Sequence, residues 1–356
     1  MRIAQIAPLY ESVPPKYYGG TERVVSYMTE ELVRQGHDVV LFASGDSVTA
    51  AELIAVCPRS LRLDPECRDP LAHHILLLER VSRDVASFDA LHFHIDYLHF
   101  PLSRRLRLPA LTTLHGRLDL PDLVPLYRQF TREPLVSISH AQRAPLPWVN
   151  WQGTVHHGLP EDLYAYQSTP GEYLAFLGRI SPEKRVDHAI AIATRAGMPL
   201  KIAAKVDPQD REYFETDIEP LLSHPLVEYL GEIGEGEKGE LLGGARALLF
   251  PIDWPEPFGM VMIEAMACGT PVIAFRRGSV PEVMEDGVTG FIVDTVDEAV
   301  EAVDRLSMID RAACRAVFEA RFTAARMAQD YVALYRRLRG EGVDALAPEI
   351  VGELGE

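Results

Sequence analysis

The stretch EPFGMVMIEAMACGTPVIAF, residues 256–275, sets two carboxylates around the start of a helix. A Pro-Phe-Gly turn follows Glu256 and opens an apolar helical run that carries Glu264 and ends at Gly269, since glycine commonly stops helices. The strand-like PVIAF follows, so the order is loop, helix and strand, as in layered α/β folds. Free N–H groups at a helix N-terminus bind anions, whereas a carboxylate beside them suits hydroxyls. The pattern predicts a ligand with both phosphate and sugar hydroxyls, a nucleotide sugar.

Length and composition indicate two hydrophobic cores and no membrane span. The chain has 356 residues, enough for two domains of roughly 150 residues each. Hydrophobic residues make up 47% of it, yet no uninterrupted apolar run approaches the roughly 18 residues of a transmembrane segment. The opening MRIAQIAPLY lacks the small-residue cleavage site of a signal peptide. The four cysteines form no C-x-x-C pair, which suits a reducing compartment, so we expect a cytoplasmic protein.

The charge is negative and unevenly distributed. Residues 1–150 hold 16 basic and 17 acidic side chains, so that −16 of the net charge of −17 lies in the rest of the chain. An acidic surface repels nucleic acid and anionic lipid, and we therefore expect neither as a partner. The simplest interpretation of the acidity is solubility.

Strand-like and helix-like segments alternate along the chain, which predicts an α/β protein with parallel sheets. Helical periodicity covers residues 21–35, 183–196 and 322–338. The strand-like segments are MRIAQIAP, DVVLFAS, FDALHFH, PALTTLH, PLVSIS, EYLAFLGR, PLKIAAK, PLVEYLG, ARALLFPI, PVIAF and GFIVD. A polar, turn-rich run at 158–172 is the expected linker. Ligands of such sheets bind beyond the carboxyl ends of the strands, which is where the glycine-rich and charged motifs fall.

Five motifs in order resemble the retaining glycosyltransferases of family four, which have the two-domain GT-B fold. The most specific is the pair Glu256 and Glu264, which matches the family's E-x7-E signature. The others are Gly19-Gly20 after the first strand, His115-Gly116 at a strand end, GRISPEK at 178–184, and GSVPEV at 278–283 with DGVTGFIV at 286–293. The resemblance covers nearly the whole chain.

The resemblance implies two Rossmann-like domains that face each other across a cleft. Residues 1–165 are then the acceptor-side domain, residues 166–321 the nucleotide-sugar donor domain, and a helix at about 322–340 returns to the first domain. The tail at 341–356 is acidic, and we expect it to be frayed.

Arg179 and Lys184 are the expected clamp for the diphosphate. Breaking a glycosidic phosphate bond leaves a diphosphate with growing negative charge, which fixed cations stabilise most in the transition state. The competing interpretation is surface salt bridging, since Glu183 and Arg185 are adjacent. The resemblance favours the clamp.

The resemblance gives the two glutamates different roles. Glu264 resembles the residue that binds the ribose diol, and Glu256 resembles the one that faces the transferred sugar. The backbone N–H groups of Phe258, Gly259 and Met260 are expected to meet the phosphate or the sugar. The segment Gly231, Glu232 and Ile233 is expected to line the nucleobase pocket.

The first half of the chain supplies the remaining candidates. Gly19 and Gly20 have no Cβ, so a backbone carrying them can approach a ligand closely; the alternative is an ordinary turn. His115 is expected to hydrogen-bond the donor sugar, although a lone histidine is more often a core residue. Asp96 and Tyr97 are candidate acceptor contacts.

Two other kinds of site are weighed against this interpretation. His92, His94 and Asp96 share one strand face and could ligate zinc, but no further ligand cluster is evident and no D-x-D occurs in the chain, so we expect no metal and no cofactor. Residues 234–239 match G-x-G-x-x-G, the dinucleotide-binding pattern. Glu235 and Glu237 would repel a pyrophosphate there.

The sequence therefore predicts a metal-independent, retaining glycosyltransferase that uses a nucleotide-diphosphate sugar, with UDP-glucose as a first guess. No residue stands out as a dedicated base, and the resemblance implies that the departing phosphate takes the acceptor proton. The acceptor is open among saccharides, lipid-linked molecules and small molecules, and the oligomeric state is open too. The alternatives are a sugar-nucleotide epimerase or hydrolase of similar fold and a non-catalytic nucleotide-sugar sensor.

Overall fold

A computed structural model describes residues 1–17, 19–106 and 110–340 of the chain. The predicted frayed tail at 341–356 lies outside the described residues. Thirteen strands in the described part form two wholly parallel sheets of seven and six strands. This confirms the predicted α/β class with two Rossmann-like domains.

The first sheet has the order β3-β2-β1-β4-β5-β6-β7. Its strands are β1 (Arg2–Ile6), β2 (Asp38–Ser44), β3 (Glu52–Cys57), β4 (Ala90–Phe93), β5 (Ala110–Thr113), β6 (Leu135–Ser137) and β7 (Trp151–Thr154). The second has the order β10-β9-β8-β11-β12-β13. Its strands are β8 (Leu174–Ile180), β9 (Leu200–Val206), β10 (Val227–Gly231), β11 (Ala247–Phe250), β12 (Val272–Phe275) and β13 (Gly290–Val293). In each sheet the order reverses beside the first strand, and doubly wound sheets bind ligands at the carboxyl ends near such a reversal.

The α-helices cover both faces of the sheets. In chain order they are α1 (Gly20–Arg34), α2 (Pro70–Asp84), α3 (Phe100–Leu106), α4 (Leu123–Gln129), α5 (His140–Arg143), α6 (Val186–Arg195), α7 (Arg211–Tyr213), α8 (Glu235–Gly243), α9 (Met260–Ala267), α10 (Val280–Val283), α11 (Val296–Asp304), α12 (Arg311–Arg321) and α13 (Ala324–Leu338). The central strands of each sheet are mostly apolar and are buried on both faces, while the edge strands β3, β7 and β10 are partly exposed, as expected for parallel sheets covered by helices. Within the described ranges, we find no helix with the length and hydrophobicity needed to cross a membrane.

The predicted helix at 183–196 is wrong at its start. Arg185 has φ of 54°, a left-handed conformation that a helix interior does not contain. It separates a short 3-10 turn, Pro182–Lys184, from α6. The predicted helix at 322–338 also begins too early, because the Thr323 side chain caps α13 by accepting a hydrogen bond from the N–H of Arg326.

The last helix packs on the first sheet. Tyr331 and Tyr335 of α13 are buried and bond to residues of β1, β4 and β5, as when the Gln5 amide donates to the Tyr335 hydroxyl at 3.2 Å. α1 and α13 share one apolar cluster with the core of the first sheet. The chain therefore crosses to the second sheet and returns, as the fold prediction states, while the domain boundaries at 165 and 321 stay predictions.

Candidate functional site

A cavity of about 450 Å³ opens where the carboxyl ends of the two sheets face each other. Most of the predicted site residues line it. They are Gly19, Gly20, His115, Arg179, Lys184, Glu232, Ile233, Glu256, Phe258, Gly259, Met260 and Glu264. Three other predicted residues, Gly231, Asp96 and Tyr97, do not line it. The structure thus brings both halves of the chain to one cavity.

The N-terminus of α9 forms part of the cavity wall. Gly259 precedes the helix with φ of 76°, and a Cβ there would lie 2.7 Å from Cε of Met262 and 3.1 Å from the Phe250 ring. Only glycine fits this conformation and this space, so the turn is specified by the sequence. Glu264 lies on the same helix and is 4% exposed.

Lys184 and Glu256 form an ion pair inside the cavity. The Lys184 ammonium donates to Oε2 of Glu256. The indole Nε1 of Trp254 donates to the same oxygen at 2.8 Å, and the Lys184 nitrogen lies 5.2 Å from the centroid of the Trp254 ring. Two donors thus occupy one oxygen of Glu256, and the orientation of its carboxylate is fixed.

Arg179, at the end of β8, is surrounded by carboxylates. It donates to Glu183 at 2.6 Å and lies 3.7 Å from both Asp207 and Asp210. The salt bridges of the competing interpretation are therefore present, on a residue that also lines the cavity.

Glu264 pairs with a lysine that the sequence analysis did not select. Lys238 of α8 donates to Oε1 of Glu264 at 3.2 Å and lies 3.5 Å from Glu235. Glu235 also pairs with Arg23 of α1. This cluster joins the two sheets across the cavity. It also places Arg23 against the carboxylate of the G-x-G-x-x-G segment.

The first sheet contributes histidines instead of charges. His115 lines the cavity, and its Nε2 lies 2.9 Å from Nδ1 of His94. His157, also in the cavity wall, stacks on His115 with 5.3 Å between ring centroids. Burial lowers the pKa of His115 to about 3 and holds the pKa values of His94 and His157 well below 6.5. These imidazoles are therefore neutral near pH 7.

The ring nitrogens of the alternative zinc set are already engaged. His92 bonds the Tyr335 hydroxyl at 2.7 Å and Thr113 at 2.8 Å, and His94 bonds Gln5 and His115. Among the described residues, no group of three or more His, Cys, Asp or Glu side chains is arranged to hold a metal ion.

Asp96 lies in the loop after β4, outside the cavity. It is exposed and has φ of 50°, a conformation that costs free energy in a residue other than glycine. Tyr97 is 37% exposed beside it. The acceptor role of both residues stays a prediction.

The GSVPEV segment supports the loop of Glu256. Gly278 has φ of 52°, and a Cβ there would collide with the backbone of Glu256. The next residue, Ser279, donates from its backbone N–H to the Glu256 carbonyl at 3.0 Å and from its hydroxyl to the Phe258 carbonyl at 2.9 Å. The motif therefore acts through the backbone of the E-P-F-G loop.

The same segment touches the first domain. The Glu282 carboxylate accepts from the backbone N–H groups of His140 and Ala141, the shortest of these bonds being 2.8 Å. His156 lies 2.7 Å from it, and these three partners hold the pKa of Glu282 below its usual value against the effect of burial. Glu282 is thus a contact between the two domains.

Sequence reasoning missed several cavity residues. Trp254, two positions before Glu256, is the one with a local signal, since an aromatic residue beside a motif carboxylate is a common hydrogen-bond donor. Arg23, His157, Lys205 and Lys238 also line the cavity. Arg23 follows the Gly19-Gly20 motif by three residues and Lys238 lies inside the 234–239 segment, so both are near motifs in the sequence, whereas His157 and Lys205 are brought to the cavity by the tertiary fold.

Comparison with known proteins gives consistent matches over both domains. The family model described as Glycosyltransferase Family 4 matches residues 18–151, and the one described as Glycosyl transferases group 1 matches residues 167–316. A curated relative, the D-inositol 3-phosphate glycosyltransferase of Mycobacterium leprae (strain Br4923), is 32% identical over 199 residues, which make up 52% of this chain and 44% of that protein. The chain therefore spans less than half of that relative's length.

Solved structures match over nearly the full length. AviGT4, a glycosyltransferase involved in avilamycin A biosynthesis, superposes with a TM-score of 0.74 at 25% identity, covering 95% of this chain and 98% of its own. Anabaena HepE, in complex with UDP-glucose, gives a TM-score of 0.71 at 18% identity and covers 94% of this chain and 98% of its own. The second likeness shows the fold alone.

Proposed function

Because the chain belongs to the group 1 glycosyltransferases of family four, we propose that it transfers a sugar from a nucleotide-diphosphate donor to an acceptor hydroxyl with retention of configuration. One observation carries the proposal. A single cavity holds the cations Arg179 and Lys184, the N-terminus of α9 and the carboxylates Glu256 and Glu264. That set suits a ligand that is anionic at its centre and hydroxylated at both ends.

The cationic part of the cavity is assigned to the diphosphate. Arginine engages phosphate oxygens in pairs, and lysine acts as a point charge. The N–H groups at the start of α9 add a positive partial charge. As the bond to the sugar breaks, negative charge grows on the diphosphate, and these groups stabilise the transition state more than the bound donor.

The two carboxylates are assigned to opposite ends of the donor. Glu264 binds the ribose hydroxyls, and the hydrogen bond from Lys238 then keeps its carboxylate oriented. Glu256 faces the transferred sugar with Oε1, because Oε2 already accepts from Lys184 and Trp254. Glu232 and Ile233 line the nucleobase end. UDP-glucose is the first donor to test, a choice supported by its presence in the structure of HepE.

The reaction exchanges one bond at the anomeric carbon. The bond from that carbon to the diphosphate oxygen breaks, and a bond to the acceptor oxygen forms on the same face of the sugar. The acceptor proton passes to an oxygen of the departing phosphate, so the products are the glycoside and the protonated nucleoside diphosphate. Glu256 stabilises positive charge on the sugar ring. We assign no step to a metal ion, since the protein's own cations face the diphosphate.

The acceptor-side wall belongs to the first domain. Its class stays open among saccharides, lipid-linked molecules and small hydroxylated molecules, and Asp96 and Tyr97 are the candidate contacts. A cytoplasmic location is part of the proposal and is supported by the free state of Cys57, Cys67, Cys268 and Cys314.

Ligand screening followed by product analysis tests the proposal. Nucleotide-diphosphate sugars are ranked by their effect on thermal unfolding, since a ligand of the native state raises its stability. The best donor is then incubated with and without an acceptor panel, and the anomeric configuration of the product is read by NMR. We expect α-linked product from an α-linked donor, only when acceptor is present. An epimerised donor, free sugar without acceptor, or binding without turnover would instead identify an epimerase, a hydrolase or a sensor.

A further inference from the structure

A chain of buried hydrogen bonds runs from the cavity wall to the last helix. We call it the histidine relay; its members are His115, His94, Gln5, Tyr335, His92, Thr113 and Tyr331. Successive members are joined by bonds of 2.9, 2.9, 3.2, 2.7, 2.8 and 2.9 Å. All members except His115 are at most 3% exposed. No charged side chain belongs to it, so each bond needs one neutral donor and one neutral acceptor.

The Gln5 amide sets the direction of the relay. Its Nε2 donates to the Tyr335 hydroxyl, and its Oε1 faces Nε2 of His94. Since Oε1 can only accept, His94 carries its hydrogen on Nε2, and its Nδ1 is an acceptor. That Nδ1 faces Nε2 of His115, which must therefore carry the hydrogen of that ring.

The assignment leaves Nδ1 of His115 without a hydrogen. This atom is buried and has no hydrogen-bond partner among the described residues. A buried acceptor left unsatisfied destabilises the folded protein, and His115 lies in the wall of the donor cavity. A ligand hydroxyl there would satisfy it, whereas an anion would not, because a bare imidazole nitrogen repels an acceptor.

We propose that Gln5 and His94 are positioning residues that fix His115 as the Nε2–H tautomer, so that its bare Nδ1 accepts a hydrogen bond from a hydroxyl of the transferred sugar. The inference rests on the proposed function for the identity of the ligand. The tautomer itself is independent of any ligand. The relay thereby connects the donor site to β1, to β4 and to His94 just after it, none of whose residues line the cavity.

The tautomer is measured directly in the free protein. The full chain is labelled with ¹⁵N-histidine, long-range ¹H–¹⁵N spectra are recorded between pH 5.5 and 8, and His115 and His94 are assigned by single substitution to glutamine. We expect both rings to be neutral Nε2–H tautomers throughout. A hydrogen on Nδ1 of His115, or a protonated ring, would overturn the proposal.

Addition of ligand then tests whether a hydroxyl of the transferred sugar donates to Nδ1 of His115. UDP lacks the glucosyl group and should leave the Nδ1 resonance of His115 in place, whereas UDP-glucose should move it upfield, as acceptance of a hydrogen bond does. If UDP and UDP-glucose shift the Nδ1 resonance equally, the proposed contact between His115 and the transferred sugar is wrong. If the free protein has the expected tautomer but no nucleotide sugar binds, the relay stands and the proposed function fails.

Two variants separate positioning from mere packing. Gln5→Glu puts a carboxylate against Nε2 of His94, which should raise the pKa of that ring and introduce a histidine titration between pH 5.5 and 8. The groups facing His94 are the rings of His92 and His115, with His157 behind them. The matched control, Tyr331→Phe, removes a buried hydroxyl at the far end of the relay and should introduce none. If the histidines titrate in the same way in both variants, the relay residues contribute only packing and do not position His115.

Discussion

The two walls of the cavity are built from different chemistry. The second domain supplies charges, above all Lys184, Arg179, Glu256 and Glu264. Lys184 and Glu256 pair with each other, whereas Arg179 and Glu264 pair with other residues of the same domain. Apart from Arg23, which pairs with Glu235 across the cavity, the first domain supplies glycines and neutral histidines, and burial lowers the pKa of His115 to about 3. A wall that binds a diphosphate needs fixed charge, whereas a wall that binds hydroxyls works with neutral donors and acceptors.

Removing one cation from the charged wall should have the largest effect. Lys184→Ala should lower kcat by on the order of 100-fold, the size found when one transition-state donor is lost. Steady-state kinetics with the donor found by screening measure it.

Lys201→Ala is the matched control, because Lys201 pairs with Glu228 on the surface and does not line the cavity. It should keep wild-type kcat. A Lys184 variant that stays within threefold of wild type would remove this residue from the mechanism.

The two glutamates divide the charged wall into two ends. Glu264→Gln should weaken binding of the free nucleoside diphosphate by roughly 30-fold, since hydrogen bonds to charged groups contribute about 1.5–3 kcal/mol. Glu256→Gln is the matched variant and should leave that affinity nearly unchanged while lowering turnover. Calorimetry measures the affinity of each variant for the free nucleoside diphosphate and for the intact donor. If Glu256→Gln instead weakened diphosphate binding more than Glu264→Gln, the roles of the two glutamates would have to be exchanged.

Because of the buried neutral histidines of the first domain, the free energy of unfolding should decrease as the pH falls. The folded pKa values of His115, His94 and His157 lie below 6.5, so the unfolded state binds more protons as the pH falls. Stability is complete above pH 6.5 and decreases below it, by at most about 1.4 kcal/mol per pH unit for each histidine.

Urea unfolding at pH 7.5, 6.5 and 5.5 measures this slope. His157→Gln removes one such group and should make the slope below pH 6.5 shallower by about that amount. An unchanged slope in this variant would mean that the His157 ring binds protons in the folded protein as it does in the unfolded one, and the neutral-wall interpretation would be wrong.

Chelation should have the smallest effect. If Arg179, Lys184 and the α9 N-terminus suffice for the diphosphate, activity survives EDTA treatment and desalting. A divalent ion would be needed only if these charges were insufficient. Loss of activity that magnesium, manganese or zinc restores would show that the charged wall is incomplete by itself.

The motif-bearing loops were predictable because each depends on local sequence. Glu256, Gly259 and Glu264 belong to one loop and helix, and the strand ends at His115 and Arg179 follow from apolar runs. All reach the cavity because parallel strands place their carboxyl ends on one edge.

The remaining features depend on contacts between distant segments. Lys238 reaches Glu264 only when α8 packs beside α9 in the second domain, and Arg23 reaches Glu235 only after the two sheets face each other. The edge strand Trp151–Thr154 was missed because it is only four residues long and has no apolar run. The edge strand Glu52–Cys57 was also missed, although it contains the apolar run LIAVC. The left-handed Arg185 breaks a helix that its periodicity alone would continue.

Gly278 sets a condition on moving this site to another protein. Its missing side chain makes room for the backbone of Glu256, and Glu282, four residues later, is bonded to the opposite domain. If the E-P-F-G loop alone were grafted into a new scaffold, its backbone would lose the contacts that support it here. The smallest transferable unit of this active site is therefore two segments that are adjacent in space, 254–264 and 278–282, and a designer who copies only the first should recover the sequence motif without its geometry.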